Sequence, residues 1–386
     1  MKRQVELIGD ARIVQSNPDN YFNYFGWPSA ARLQDGRIAV VSSGFRHHHV
    51  CPFGKAVISY SEDEGESFTP PAVVIDTPLD DRDVGIVPFG ESNVILTSPT
   101  NNKDSMLKRC DHQNIFEPSY VENCVAEDAM KKYYGWNYRI SHDCGKTFGA
   151  FKHAPVGTPH GPTPLPDGSL LWVGQMRTID NTDNHDMAFH VFKMSFDQNG
   201  NELFSEIGQI KEVLNDDGKP LPMWEPHVII TRDGHLLCHI RADLGNECDV
   251  FTIFQCESFD GGATWTTPRR IIPILEGSTP HLFRMNNGLL LCTYEHRQPP
   301  FEIRAMFSDD EGKTWDWGHT LFTRNIPASW IENPRDFYPA NDLGYPSTVA
   351  LKDGTYMTFF YSRFPYPDVS STAVIWAQKW QLHEIG

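Results

Sequence analysis

Apolar residues in this chain gather into short runs, and six of those runs begin just after a turn ending in glycine. Leu289-Leu290-Leu291 follows Asn287-Gly288, and Leu170-Leu171-Trp172 follows Asp167-Gly168. Short apolar runs bounded by such turns predict strands. The whole unit, strand then turn then strand, recurs six times. Its copies run Trp27-Pro28-Ser29 to Asp35-Gly36, Asp83-Val84-Gly85 to Phe89-Gly90, and His160-Gly161-Pro162 to Asp167-Gly168. They continue from Glu225-Pro226-His227 to Asp233-Gly234, from Pro280-His281-Leu282 to Asn287-Gly288, and from Tyr345-Pro346-Ser347 to Asp353-Gly354. Successive glycines stand 54 to 78 residues apart, near the ~40–50 residues of common propeller repeats with loops added.

A second pattern repeats independently of the first. Four segments read Ser-x-Asp-x-Gly-x-(Ser/Thr)-aromatic: Ser61 to Phe68, Ser141 to Phe148, Ser258 to Trp265 and Ser308 to Trp315. A weaker fifth starts at Ser195-Phe196-Asp197. Such an octapeptide is a self-bracing hairpin turn. The aspartate accepts backbone N–H groups, the glycine supplies positive φ, and the aromatic packs between sheets. Together the two repeats predict an all-β chain forming a single six-bladed propeller over residues 1–386. A two-sheet sandwich would not repeat one hairpin six times at this period. The first strand, near Val5 to Val14, and the last, near Ala373 to Leu382, are expected to share a blade, since closure removes exposed sheet edges. Residues 101–138 exceed what their blade needs and read as a loop insertion over one rim, a substrate lid or an oligomer contact.

Composition narrows the function. A formal net charge of −17 argues against a nucleic-acid partner and requires any anionic substrate to be held by local arginines. No stretch approaches a membrane span, and residues 1–14 alternate charged and apolar positions without the apolar core of a secretory signal. The eight cysteines are scattered without a Cys-x-x-Cys pair, as expected of reduced thiols in a cytoplasmic protein.

In a propeller the first residues of each innermost strand crowd the central axis. Here those places hold Trp27, Asp81-Arg82-Asp83, His160, Glu225, Thr279 and Tyr345. Polar and titratable groups at that position predict a pocket.

These motifs resemble the sialidase (neuraminidase) superfamily along nearly the whole chain, the braced turns being its Asp-boxes. Gly344-Tyr345-Pro346-Ser347 is similar to the family's Gly-Tyr-Ser-Ser element, and Trp224-Glu225-Pro226 to the element that supplies the paired glutamate. The resemblance implies that Tyr345 is a nucleophile with Glu225 as its base. That pairing makes chemical sense, because a phenol of pKa ~10 needs a neighbouring carboxylate to take its proton. The family also grips a substrate carboxylate with three arginines. Arg241 matches the second and Arg297 is a candidate third, with Arg304 as a rival. The first aligns with Gly26-Trp27-Pro28, so Arg46 or Arg82 is expected to substitute.

The family's acid/base aspartate has no counterpart in Phe45-Arg46-His47-His48-His49. The candidates are a histidine of that run, represented by His48, and Asp83. Three consecutive histidines cannot all converge on one metal from a strand, and neither a metal nor a cofactor is expected. His160, His227 and His281 are candidate hydroxyl contacts, and Trp27 a face on which a sugar could stack. The sequence thus implies a carbohydrate partner and an exo-acting retaining hydrolase of a terminal sialic or related acidic sugar. Two other readings are a propeller glycosidase for another terminal sugar with a histidine acid/base, and a carbohydrate-binding propeller without catalysis.

Overall fold

The computed structural model describes residues 2–109, 116–177, 187–215, 217–244, 251–272, 277–324, 342–363 and 372–385. Strands meander antiparallel, each pairing with the next in sequence. Four sheets have four strands each. One of them runs Met223–Ile230, Leu236–Asp243, Phe251–Ser258 and Arg269–Arg270. The next holds Ser278–Arg284, Leu290–His296, Glu302–Ser308 and Asp316–Thr323.

The six repeats expected as blades do not form six separate sheets. The first repeat (Tyr24–Arg32, Ile38–Arg46, Lys55–Ser61, Ala72–Ile75) and the last (Leu343–Ala350, Tyr356–Arg363, Ala373–Ile385) belong to one eight-stranded sheet. A single parallel pairing, Tyr24 with Ala373, joins them. Strand Lys2–Gln15 runs along the outside of Ala373–Ile385, Lys2 opposite Ile385 and Val5 opposite Leu382. The two chain ends therefore share a sheet, and each covers the other's unpaired edge.

Four of the hairpins between third and fourth strands are the braced turns. In the first, Ser67 donates its backbone N–H to Asp63 Oδ1 at 2.9 Å and its hydroxyl to Oδ2 at 2.5 Å. Gly65 N–H donates to Ser61 Oγ at 2.8 Å. The same bonds recur around Asp143, Asp260 and Asp310. The fifth turn is built differently: Asp197 accepts from the N–H groups of Asn199 and Asn201. Each braced turn leans on a neighbouring sheet. Phe68 meets Phe359 edge-on at 5.8 Å, and Trp315 donates to Gln255 Oε1 at 2.9 Å.

The core is accordingly a series of layers between adjacent sheets. Ala31, Val41 and Ile58 pack with Ile86 and Leu96, and Ile38 and Val57 with Val349 and Phe359. Branched and aromatic side chains suit such half-buried pleated surfaces. The insertion is not a plain loop. It carries three short helices, Lys103–Arg109, Phe116–Asn123 and Ala129–Tyr133, before strand Gly135–Ser141 begins. Met106, Val121, Val125 and Ala129 close over Leu79 as a small core of their own. Among the described residues no helix is long and apolar enough to cross a membrane. The six described cysteines are free thiols, four of them buried, while Cys110 and Cys248 lie outside the described residues.

Candidate active site

Five innermost strands carry a non-glycine residue in left-handed backbone near their start. These are Trp27 (φ 55°), Asp83 (φ 43°), Glu225 (φ 57°), Thr279 (φ 38°) and Tyr345 (φ 53°). Four of the five precede a proline, which disfavours the right-handed helical conformation there. The strand register slips at the same places, between Trp224 and His227, Ser278 and His281, and Gly344 and Ser347. Each kink turns a side chain toward the axis.

Tyr345 and Glu225 meet there. The Tyr345 hydroxyl donates to Glu225 Oε1 in a short hydrogen bond. Thr279 Oγ1 donates to Glu225 Oε2 at 2.7 Å, and Arg241 Nη1 reaches both carboxylate oxygens at 3.1 and 3.0 Å. Burial pushes the Glu225 carboxyl up, but the Arg241 charge and the bonds from Tyr345 and Thr279 outweigh it and hold the group below its usual range. Burial, reinforced by the Glu225 charge, raises the Tyr345 phenol well above its usual value. The resting pair is therefore a neutral phenol donating to a carboxylate. Gly344 lets the Tyr345 strand pass close to Glu295: a Cβ on it would lie 2.7 Å from Glu295 Cδ.

Asp83 lines a small pocket with Glu225, Trp224, Trp136 and Arg177. Its Oδ1 is buried without a hydrogen-bond partner. Burial raises its pKa, Arg82 opposes the rise, and the Glu225 charge adds to it. Burial thus shifts this carboxyl toward its protonated form relative to a free aspartate.

The arginines are mostly engaged. Arg46 is fully buried, 2.6 Å from Asp80 Oδ1, and donates to Ser43 Oγ and to the Asp81 and His49 carbonyls. Expected as a substrate contact, it instead holds the chain in place and has no exposed surface. Arg82 donates to the His49 carbonyl at 2.6 Å and lies over the Trp27 ring at 4.0 Å, while Arg46 lies 4.8 Å from the same ring. Trp27 is 1% exposed. It is a platform for guanidinium groups and offers no open face for a sugar. Arg297 sits 3.1 Å from Glu295 and donates to the Leu343 carbonyl. Arg304 pairs with Glu302 at 2.6 Å.

Of the three consecutive histidines, His48 turns away. Its Nε2 meets Glu117 of the insertion helix Phe116–Asn123 at 2.8 Å. His49 faces the site instead, edge-on to Trp27 at 4.9 Å and beside Asp342. Burial lowers its pKa to about 4 despite Asp342, with Arg82 and Arg46 adding to the drop. Near neutrality it holds no extra proton to give. His160, His227 and His281 lie together further along the innermost strands, past Tyr345 and Glu225. Asp81, also fully buried, accepts from Thr77 and Thr100 and ties its loop to the next strand.

Two important groups escaped the sequence reading. Asp342 accepts from Tyr24, Tyr361 and Arg363 at 3.0, 2.8 and 2.8 Å, behind the Tyr345 strand. Glu295 is buried beside Arg297, and burial raises its pKa. Neither belongs to a repeated motif, and His49 lies in a bend past the end of strand Ile38–Arg46, where strand alternation no longer applies.

Comparison with known proteins fits this architecture. Solved structures match almost the whole chain at low identity. A protein of unknown function from Dyadobacter fermentans DSM 18053 superposes with TM-score 0.69 at 18% identity, covering 98% of this chain and 99% of its own. The NanB sialidase from Streptococcus pneumoniae gives 0.62 at 13%, covering 97% of this chain and 70% of its own. The intramolecular trans-sialidase from Ruminococcus gnavus gives 0.58 at 12%, covering 97% of each. These likenesses establish the sialidase-like propeller fold. No curated protein is matched by the sequence. The family described as BNR repeat-like domain matches residues 125–358, well over half the chain. This chain belongs to the BNR repeat-like domain family.

Proposed function

We propose that this protein is a retaining exo-glycoside hydrolase in which Tyr345 attacks the anomeric carbon of a terminal sugar. The observation that carries this reading is the Tyr345–Glu225 hydrogen bond, with Glu225 fixed by Arg241 and Thr279. Counting the eight-stranded sheet as two blades joined at Tyr24 and Ala373 gives a six-bladed ring with this pair near its axis.

As the phenol oxygen bonds to the anomeric carbon, Glu225 takes the phenol proton and Asp83 gives its proton to the departing oxygen. Water then attacks the glycosyl–tyrosine bond, returning a proton to Asp83, while the phenolate recovers its own from Glu225. A neutral nucleophile suits an acidic sugar, since it does not repel the substrate carboxylate, and sialidases use a tyrosine for this step. Arg241 would contact that carboxylate, with Arg297 and Arg82 beside it. Drawing Arg241 off Glu225 would also make Glu225 a stronger base. We assign the role of proton donor to Asp83 ahead of His48 and His49.

An uncharged terminal sugar is the second reading, favoured by the ion pairs that already occupy Arg241 and Arg297. Hydrolysis of chromogenic α-glycosides of a sialic acid, a deoxy-keto acid, a uronic acid, rhamnose and fucose separates the two. Release from the keto-acid substrates, lost in Tyr345→Phe, supports the acidic reading. Release from rhamnose or fucose alone supports the second. No release from any would favour a carbohydrate-binding propeller.

A further inference from the structure

The innermost strands run from the reactive end of the axis toward the other face. Two residues beyond Trp27, Glu225, Thr279 and Tyr345 come Ser29, His227, His281 and Ser347. His160 joins them from the neighbouring sheet. Its ring centroid lies 5.0 Å from His227 and 4.8 Å from His281, and those two stack at 4.9 Å. The three imidazoles form a partition across the axis. Beyond it opens a cavity of about 400 Å³, walled by apolar side chains such as Ile86, Val228 and Leu282. Its size and apolar lining, with a few polar groups converging, are those of a small-molecule site.

The hydrogen-bond pattern says what such a molecule must offer. Leu282 N–H donates to His227 Nδ1 at 2.8 Å, so the proton of a neutral His227 is on Nε2. Thr348 N–H points at His281 Nδ1 at 3.4 Å, and His281 Nε2 faces Ser347 Oγ at 3.3 Å. His160 differs from both: neither ring nitrogen has a hydrogen-bond partner, and both are buried out of reach of the cavity. No hydrogen bond to His227 Nε2 is seen among the described residues, so its N–H is the donor left open there. Buried polar groups in folded proteins are nearly always paired. Burial keeps all three rings neutral, lowering His227 to about 4 and holding the other two well below the ordinary histidine value. A metal does not suit them. The tautomers of His227 and His281 leave no lone pair on Nε2, and no metal-binding group appears among the described residues. A charged ligand does not suit them either. Arg32, on the cavity wall, is already bonded to Glu64 and to the Gly36 and Ala350 carbonyls, and burying an unpaired charge is costly.

We propose that this cavity is a second binding site, distinct from the Tyr345 pocket, for a small uncharged molecule with an apolar body and one carbonyl head. The carbonyl accepts from His227 Nε2–H. Ligand-observed NMR on the full chain with benzamide, benzoate and toluene tests it, the three probes being similar in size. Benzamide is expected to bind about tenfold or more tighter than either of the others, and His227→Phe to remove that preference while leaving toluene unchanged. Ile229→Trp, at a half-buried wall position, is expected to abolish binding of benzamide and toluene alike. Thermal melting of both variants checks that they fold, and if His227→Phe does not, Ile229→Trp decides the matter alone. Equal binding of all three probes, no benzamide binding at millimolar concentration, or benzamide binding unmoved by either folded variant would overturn the proposal.

Discussion

The braced turns at the outside of the sheets and the strand starts at the axis both place ordinary residues in left-handed backbone. In the turns these are Glu64, Cys144 and Glu311, with φ of 57° to 60°. At the axis they are Trp27, Asp83, Glu225, Thr279 and Tyr345. The conformation costs roughly 1–2 kcal/mol per residue. In a turn the backbone brace is local, because a serine, an aspartate and a glycine within eight residues bond one another, while the side chains of Glu64 and Glu311 add bonds from Arg32 and Arg284. At the axis no such local brace exists, and partners come from other sheets, as Thr279 and Tyr345 both bind Glu225. A strained position that repeats with the same residues reports the fold. One that repeats in place but with different, reactive residues reports a site.

The comparison can be broken most sharply at Tyr345. Tyr345→Phe is expected to lower kcat by about a thousandfold or more, as loss of a nucleophile does, with an unchanged melting curve. A near-normal rate would remove the nucleophile assignment. Asp83→Asn comes next, with a loss of about a hundredfold. The sign of its pH effect follows from its acid role: wild-type activity should fall as pH rises through the raised Asp83 pKa. A kcat–pH profile should lose that alkaline limb in the variant.

On the turn side, Gly312→Ala puts a Cβ at φ 86° and 3.0 Å from the Leu237 methyls. It should cost about 1–2 kcal/mol by urea unfolding and leave kcat alone. The turns also predict acid lability. Hydrogen bonds from Ser67 and Thr264 hold Asp63 and Asp260 at about 2, below their unfolded value near ~3.9. Their contribution is complete above that unfolded value and disappears as pH falls toward about 2. The urea midpoint should hold steady down to about pH 4 and then drop; a flat profile to pH 2 would contradict this. Smallest is Thr279→Gly, which relieves a β-branched residue at φ 38° but removes a bond to Glu225. The two effects should offset to within about 1 kcal/mol in stability, with kcat reduced less than about tenfold.

Much of this was legible in the residues. The Ser-x-Asp-x-Gly turns form where their pattern predicts, and Lys2–Gln15 pairs with Ala373–Ile385. Tyr345, Glu225, Thr279 and Asp83 share the axis because their strands begin at equivalent points of a repeat. The helices of the insertion were not legible. They are five to eight residues long, too short to be stable alone, and their packing over Leu79 supplies what propensity does not.

By itself the sequence determined the local chemistry: turns that close on their own side chains, strands that alternate with them, and the positions at which reactive residues enter the axis. Those depend on contacts a few residues apart, which spacing records. Only the tertiary structure decided which neighbour each charge would meet. It gave Arg46 to Asp80 and His48 to Glu117, turned His49 toward Trp27, and left His160 unpaired above a second cavity. The pairing of a buried charge depends on which groups share its low-dielectric surroundings. Those groups come from strands tens or hundreds of residues away, and no spacing along the chain encodes them.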